Sequence, residues 1–271
     1  MRRLLIITLF SFATITLPSL ALAQQIIHLP NTTATIECYA VESAKEAVVV
    51  CPGGSYYWLD YKHEGVEVAK WLQKEGYSAY VLRYHVAGWW AWATHYRLLF
   101  RGLKPWEPMH DTEAAIAYLK DSLGISQVGI IGFSAGGHLA VTAALNNLGY
   151  SWAAAIYPVV SMQAPCTHRR SRRALLGERS QNNLDMQKQY SLESQIHSKC
   201  PPVFLVACKD DPIVDHHNSE LLDSALTAKH VPHRFLLYNT GGHGFAVRVD
   251  KGSPECHAWE KEFLDWLRLR N

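Results

Sequence analysis

One stretch decides the fold of this chain: Val128-Gly129-Ile130-Ile131-Gly132-Phe133-Ser134-Ala135-Gly136-Gly137-His138. Its apolar first part predicts a strand over 127–133, and its second part opens a helix predicted over 136–146. Gly-x-Ser-x-Gly between them indicates a strained turn, where small residues must flank the serine because neighbouring backbones pass close to it. The stretch therefore predicts an α/β fold with Ser134 at the end of a strand.

Outward from this stretch, the chain alternates strand-like and helical patterns. Apolar runs predict strands over 26–29, 35–41, 47–51, 77–84, 127–133, 152–160, 202–208 and 233–238, and helical spacing predicts helices over 64–75, 111–123, 136–146, 219–229 and 257–269. This order favours one domain, residues 24–271, with a mostly parallel, doubly wound sheet.

Two stretches fall outside the alternation. Residues 88–106 are rich in aromatic side chains, and residues 166–198 are polar and basic. Long excursions from a compact α/β fold are often functional loops or lids, so the aromatic stretch lines a substrate pocket or packs on the core as a helix. The basic run Arg169-Arg170-Ser171-Arg172-Arg173 is interpreted as a solvated loop.

The composition restricts the class of protein. The 271 residues are 48% hydrophobic and 18% charged, which is typical of an ordinary soluble globular protein. The net charge is only +2, so no nucleic-acid partner is expected. No Cys-x-x-Cys or paired-histidine spacing indicates a metal site, and no cofactor is expected.

The N-terminus has the pattern of a secretory signal peptide. A positive start, Met1-Arg2-Arg3, precedes an apolar stretch interrupted by Pro18 and a small-residue cleavage site, Ala21-Leu22-Ala23. The polar interruptions argue against a membrane anchor of about 20 residues. We expect residues 1–23 to be removed and the protein to be periplasmic or secreted, which N-terminal sequencing of the mature chain would check.

The six cysteines do not form an obvious disulfide framework, because the chain is large and their spacing is irregular. Cys51 and Cys208 end apolar runs, so they are predicted to be buried thiols. The remaining four have more polar surroundings, and one disulfide among them is left open: Cys38, Cys166, Cys200 and Cys256.

Ser134 is the candidate nucleophile, and it needs a base because a hydroxyl is a poor nucleophile at neutral pH. His243 is the best candidate among the histidines, since Thr240-Gly241-Gly242-His243-Gly244-Phe245 is a glycine-rich loop directly after the last strand. His138 is closer in sequence, but four residues into a helix it is predicted to point away from the sheet edge.

The histidine needs an acid to fix its tautomer. Asp210 and Asp211 both follow the strand over 202–208. We favour Asp211, because the acid usually lies at such an Asp-Pro-x-Val segment in enzymes of this kind, and Asp210 is the alternative. The resulting chain order, Ser, Asp, His, is the order expected of α/β-hydrolases.

Backbone N–H groups are candidates for binding the oxyanion that forms during acyl transfer. The Ala135 N–H follows the serine at a helix N-terminus. Pro52-Gly53-Gly54-Ser55-Tyr56 follows another strand, and its glycines let the backbone approach a substrate oxygen. The Gly54 and Ser55 N–H groups are therefore the predicted second donors.

With these segments identified, the chain resembles the esterase/lipase branch of the α/β-hydrolase superfamily, the branch that contains acetyl-xylan-esterase-like and feruloyl-esterase-like bacterial enzymes. The resemblance rests on segments spread over nearly all of the mature chain: 51–56, 63–65, 82–84, 108–111, 132–138, 210–214 and 241–245. It implies an eight-stranded, mainly parallel sheet with helices on both faces and a cofactor-free mechanism. Ser55 departs from the family, which commonly has a third glycine there.

These observations predict a serine hydrolase of short acyl esters, such as acetate on a plant polysaccharide like xylan. The alternatives are a long-chain lipase, a serine peptidase of the prolyl-oligopeptidase type and a non-catalytic carbohydrate-binding protein that retains the fold. Such peptidases usually carry an additional propeller domain, for which 271 residues leave little room.

Overall fold

The computed structural model of this chain describes residues 25–44, 46–93, 103–146 and 148–270. The predicted signal peptide, residues 1–23, lies outside them and stays a prediction, as does part of the aromatic stretch, residues 94–102. Among the described residues, no helix combines the length and the apolar character needed to cross a bilayer.

Eight strands form one sheet at the positions that the apolar runs predicted. They are β1 (Gln25–His28), β2 (Thr35–Tyr39), β3 (Ala47–Cys51), β4 (Ser78–Arg83), β5 (Val128–Phe133), β6 (Ala153–Ile156), β7 (Val203–Cys208) and β8 (His233–Tyr238). Their order in the sheet is β1-β2-β4-β3-β5-β6-β7-β8. β2 pairs antiparallel with β1 and β4, and every other pairing is parallel. The predicted fold is confirmed.

The helices connect these strands. They are α1 (Glu67–Lys74), α2 (Trp89–Ala93), α3 (Glu107–Ala117), α4 (Ala135–Leu145), α5 (Arg169–Leu176), α6 (Leu184–Gln189), α7 (His217–Ala228) and α8 (Ala258–Arg270). π-helical turns, Tyr61–Val66 and Tyr118–Ser122, precede α1 and follow α3, and a 3₁₀ turn covers Leu192–Ser194.

Both faces of the sheet are covered, which explains why the central strands are continuous apolar runs. All five residues of β3 are buried. Val49 points into a core shared with α3 and α4, whereas Val48 and Val50 point into the opposite core with α1 and α8. A third cluster packs α7 against β6 and β7. The carboxyl ends of β3, β5, β7 and β8 therefore meet at one edge between the two layers.

Some predicted boundaries were wrong. The strand predicted over 152–160 ends at Ile156, because Tyr157 adopts a positive φ of 41° that extended backbone does not allow. The basic run is not a loop: Arg169–Leu176 is helix α5, with Ser171 and the apolar residues Ala174, Leu175 and Leu176 buried. The run was interpreted as a loop because its four arginines outnumber the apolar residues that would indicate the buried face of a helix.

All six cysteines lie among the described residues, and all carry free thiols. Cys51 and Cys208 are buried as predicted. Cys200 and Cys256 are also buried, which corrects the expectation of polar surroundings. Burial raises the pKa of the Cys51 and Cys200 thiols.

Candidate active site

Ser134 occupies a strained turn between β5 and α4. Its φ of 52° and ψ of −119° lie outside the regions that residues with a side chain ordinarily adopt. The turn depends on glycine, because a Cβ on Gly132 would lie 2.0 Å from the Gly136 carbonyl oxygen and a Cβ on Gly136 would lie 2.1 Å from the Cys51 carbonyl oxygen. The strain lifts the serine hydroxyl to the sheet edge.

His243 connects Ser134 to Asp211. Its Nε2 lies 3.0 Å from the Ser134 Oγ, and its Nδ1 lies 2.7 Å from an Asp211 carboxylate oxygen. An ionised carboxylate only accepts, so Nδ1 carries a proton and donates it to Asp211, which leaves Nε2 of the neutral ring free to accept from the serine hydroxyl. The three predicted residues therefore lie in one hydrogen-bonded chain, with the Asp211 side chain only 2% exposed.

Asp210 and Asp211 have different partners. The second oxygen of Asp211 accepts hydrogen bonds from the N–H groups of Ile213 and Val214, which orients the carboxylate. Asp210 is exposed and accepts instead from the N–H groups of Gly241 and Gly242, at 3.2 and 2.8 Å. Asp210 thus holds the backbone of the histidine loop, and Asp211 contacts the ring.

The predicted oxyanion donors lie in two segments. Ala135 is the first residue of α4, where a backbone N–H has no intrahelical partner. Gly54 and Ser55 follow Gly53, where a Cβ would lie 2.8 Å from the Ser134 Cβ, so this loop packs directly on the serine. No hydrogen bond between described residues uses the N–H of Gly54 or Ser55. Their role as donors remains a prediction.

Glu64 is a buried carboxylate within residues 63–65, a segment that belongs to the family resemblance but had no predicted role at the site. Its two oxygens accept hydrogen bonds from the Gly53 N–H (2.7 Å) and the Tyr157 hydroxyl (2.9 Å). Burial raises its pKa, and the nearby His243 charge opposes that rise. The Tyr157 ring lies 4.6 Å from the His243 ring. Glu64 therefore ties the loop beside Ser134 to the surroundings of His243.

His138 has two tyrosine partners and is not part of the hydrogen-bonded chain of Ser134, His243 and Asp211. It is buried between Tyr56 and Tyr190. A carbonyl oxygen only accepts, so Nε2–H donates to the Tyr190 oxygen, and Nδ1 accepts from the Tyr56 hydroxyl. Burial lowers its pKa to about 4, so the ring is neutral at pH 7.

Among the described residues, one group has the geometry to hold a metal ion: Asp215, His216 and His217, at the start of α7. These side chains already pair with one another and with Glu220. None of the predicted site residues belongs to this group.

The fold and the chain order of the site residues define an α/β-hydrolase. Residues 36–269 match the dienelactone hydrolase family, and the chain belongs to this family. The resemblance to α/β-hydrolases is thereby confirmed.

Three similar proteins have names that mention xylan or xylosides. The chain is 28% identical to an acetylxylan esterase of Xylanibacter ruminicola over 78% of its length, and 28% identical to an endo-1,4-beta-xylanase B of Butyrivibrio fibrisolvens over 83%. It spans only 44% and 36% of the length of these two relatives. The structure of an acetyl ester-xyloside bifunctional hydrolase from Caldicellulosiruptor lactoaceticus superposes with a TM-score of 0.74 at 30% identity, covering 88% of each chain.

Proposed function

We propose that this protein is a serine esterase that removes short acyl groups, acetate above all, from acetylated xylan or its oligosaccharides. One observation carries the proposal: His243 lies within hydrogen-bonding distance of both the Ser134 Oγ and the Asp211 carboxylate. The family and the names of the three similar proteins support the ester class and the sugar.

The proposed reaction is acyl transfer in two steps. His243 Nε2 takes the hydroxyl proton as Ser134 Oγ attacks the ester carbonyl. The Ala135 N–H and the Gly54 or Ser55 N–H bind the developing oxyanion, and Asp211 stabilises the imidazolium. As the C–O bond of the ester breaks, the imidazolium protonates the leaving sugar oxygen, which departs as a free hydroxyl. Water, activated by the same histidine, hydrolyses the acyl-enzyme and restores Ser134.

Replacing the nucleophile tests this proposal. Ser134→Ala is expected to lower kcat on 4-nitrophenyl acetate by at least about 10⁴-fold. Ser224→Ala is the matched control, because Ser224 is exposed on α7. A fluorophosphonate probe should label the wild type and Ser224→Ala but not Ser134→Ala. Full activity in Ser134→Ala would contradict the assignment.

The substrate is tested separately. We expect hydrolysis to fall from acetyl to octanoyl esters of 4-nitrophenol, and acetate to be released from acetylated xylo-oligosaccharides. A preference for long chains would favour a lipase instead.

A further inference from the structure

A cleft of about 610 Å³ lies beside the candidate active site, between an aromatic wall and a cationic wall. Tyr57 and Trp92 line one side. The arginines of α5 line the other: Arg169, Arg170 and Arg173. The cleft contains none of the three residues of the proposed triad.

Both walls begin close to the candidate site. Tyr57 and Trp58 donate their N–H groups to the Gly54 carbonyl, so the aromatic wall continues the loop that packs on Ser134. The cationic wall starts directly after His168, which is close enough to His243 and Asp211 for their charges to influence its pKa. Each wall is therefore continuous along the chain with a residue close to the candidate site.

The positive charge of the cationic wall exceeds the negative charge of the described residues around it. Arg173 pairs with Glu178 at 2.8 Å and donates to the Tyr57 hydroxyl. Arg169 and Arg170 are exposed, and no described residue offers either of them a carboxylate partner. Residues 94–102, outside the described part of the chain, include no Asp or Glu.

Trp92 presents the flat apolar surface of the aromatic wall, because Tyr57 is only 1% exposed. The Trp92 side chain is 41% exposed, and its ring lies 6.1 Å from the ring of Trp58, which is also exposed. Exposed aromatic patches of this kind mark binding grooves. A pyranose ring has a flat face of C–H groups that fits such a surface, whereas its hydroxyls and any charged substituent need polar partners.

We propose that this cleft binds a uronic acid unit of the polysaccharide, with the sugar ring against Trp92 and its carboxylate on Arg169 and Arg170. The inference rests on the proposed function, because it places the acyl group of the same chain at Ser134. Guanidinium groups match carboxylates through two parallel N–H···O bonds. Uronic acids are the carboxylate-bearing sugars of plant polysaccharides, so the substrate class becomes an acidic, acetylated oligosaccharide.

The test compares two acetylated xylo-oligosaccharides of equal length, one carrying a glucuronic acid branch and one neutral. The wild type should have the higher kcat/KM on the acidic substrate. Arg169→Gln/Arg170→Gln should lower the ratio of acidic to neutral kcat/KM by about tenfold. The matched control is Arg234→Gln/Arg268→Gln, which removes the same charge from exposed positions on β8 and α8 and should leave the ratio unchanged.

Binding to Ser134→Ala separates the two proposals, because it requires no hydrolysis. Calorimetry with deacetylated probes should show tighter binding of the branched acidic oligosaccharide than of the neutral one. The difference should shrink as NaCl rises from about 0.05 M to about 0.5 M, since exposed charges are screened. Trp92→Ala should weaken both probes and keep their ratio.

The outcomes are distinct. Equal kcat/KM and equal affinity for the acidic and neutral compounds, or an equal change in the control double variant, would overturn the cleft assignment while ester hydrolysis stands. Preferential binding of the acidic probe without acetate release from either substrate would overturn the proposed function and leave the cleft assignment in place.

Discussion

At the scale of single residues, the adjacent acids Asp210 and Asp211 show that the same side chain has different roles at two neighbouring positions in the chain. Asp211 is buried against His243 and oriented by two backbone N–H groups. Asp210 is exposed and binds the backbone of the Gly241–Gly242 turn. The chemistry of the two carboxylates is the same, so only their surroundings separate the acid of the proposed triad from a loop anchor.

Amide substitutions should separate these tasks. Asp211→Asn places an amide beside His243 Nδ1, where its N–H favours the wrong ring tautomer, and should lower kcat/KM on 4-nitrophenyl acetate by about 10⁴-fold. Asp210→Asn keeps an oxygen for the Gly242 N–H and should lower it by less than about tenfold. Equal losses, or a larger loss at Asp210, would contradict the assignment. Circular dichroism checks that both variants fold.

At the scale of elements, the loop after β3 depends on a carboxylate from the π-helical turn that follows it. Ser55 and Tyr56 both have positive φ, at 57° and 61°, so this loop is strained as well as close to Ser134. Glu64 fixes the start of this loop by accepting a hydrogen bond from the Gly53 N–H. Because Glu64 also holds Tyr157 against His243, one side chain positions two sides of the site.

Removing this carboxylate should affect the reaction more than substrate binding. Glu64→Ala leaves the Gly53 N–H and the Tyr157 hydroxyl without their partner, and should lower kcat by about 100-fold with little change in KM. Glu64→Gln keeps an acceptor for Gly53 and should restore kcat to within about tenfold of the wild type. If Glu64→Ala and Glu64→Gln gave the same kcat, the hydrogen bonds would not be the cause.

At the scale of the whole molecule, two neutral histidines, His138 in α4 and His168 directly before α5, make the stability of the fold depend on pH. His138 binds Tyr56 and Tyr190, and His168 starts α5 beside the candidate site. Burial lowers the pKa of both rings to about 4, with the Arg170 charge assisting at His168. Unfolding restores an ordinary pKa near 6.5.

This difference in pKa between the folded and unfolded chain predicts that the protein is less stable in acid. Between about pH 6.5 and about pH 4 the unfolded chain binds more protons than the folded chain, so the free energy of unfolding falls as the pH falls. The stabilisation is complete above pH 6.5, and each histidine contributes a slope of up to about 1.4 kcal/mol per pH unit within that window. Urea titrations at several pH values measure the slope.

A variant separates the contribution of His138 to this pH dependence of the free energy of unfolding from the contribution of the carboxylates. His138→Gln should flatten the slope between about pH 6.5 and about pH 5, whereas His28→Gln, at an exposed position in β1, should leave it unchanged. A slope that is the same in His138→Gln and the wild type would show that this ring does not titrate on unfolding.

The sequence alone determined the features that depend on neighbouring residues. Gly132 is required by a close contact within one turn, and apolar runs identified the central strands because both of their faces are buried. These local patterns were sufficient for a mostly parallel α/β fold, the position of Ser134 at the end of β5 and the chain order of the candidate site, whereas a single sheet of eight strands was implied by the family resemblance.

Only the tertiary structure decided which distant side chains meet. Glu64 and Tyr157 are 93 residues apart, and Arg173 and Tyr57 are 116 apart, so no spacing in the sequence predicts either hydrogen bond. The sequence favoured Asp211 over Asp210 only by analogy with similar enzymes, and the contact of Asp211 with His243 depends on tertiary packing, as does the cleft beside α5. Strand and helix patterns arise from interactions along the chain, whereas a site is formed by packing between elements, which depends on where the whole sheet places each loop.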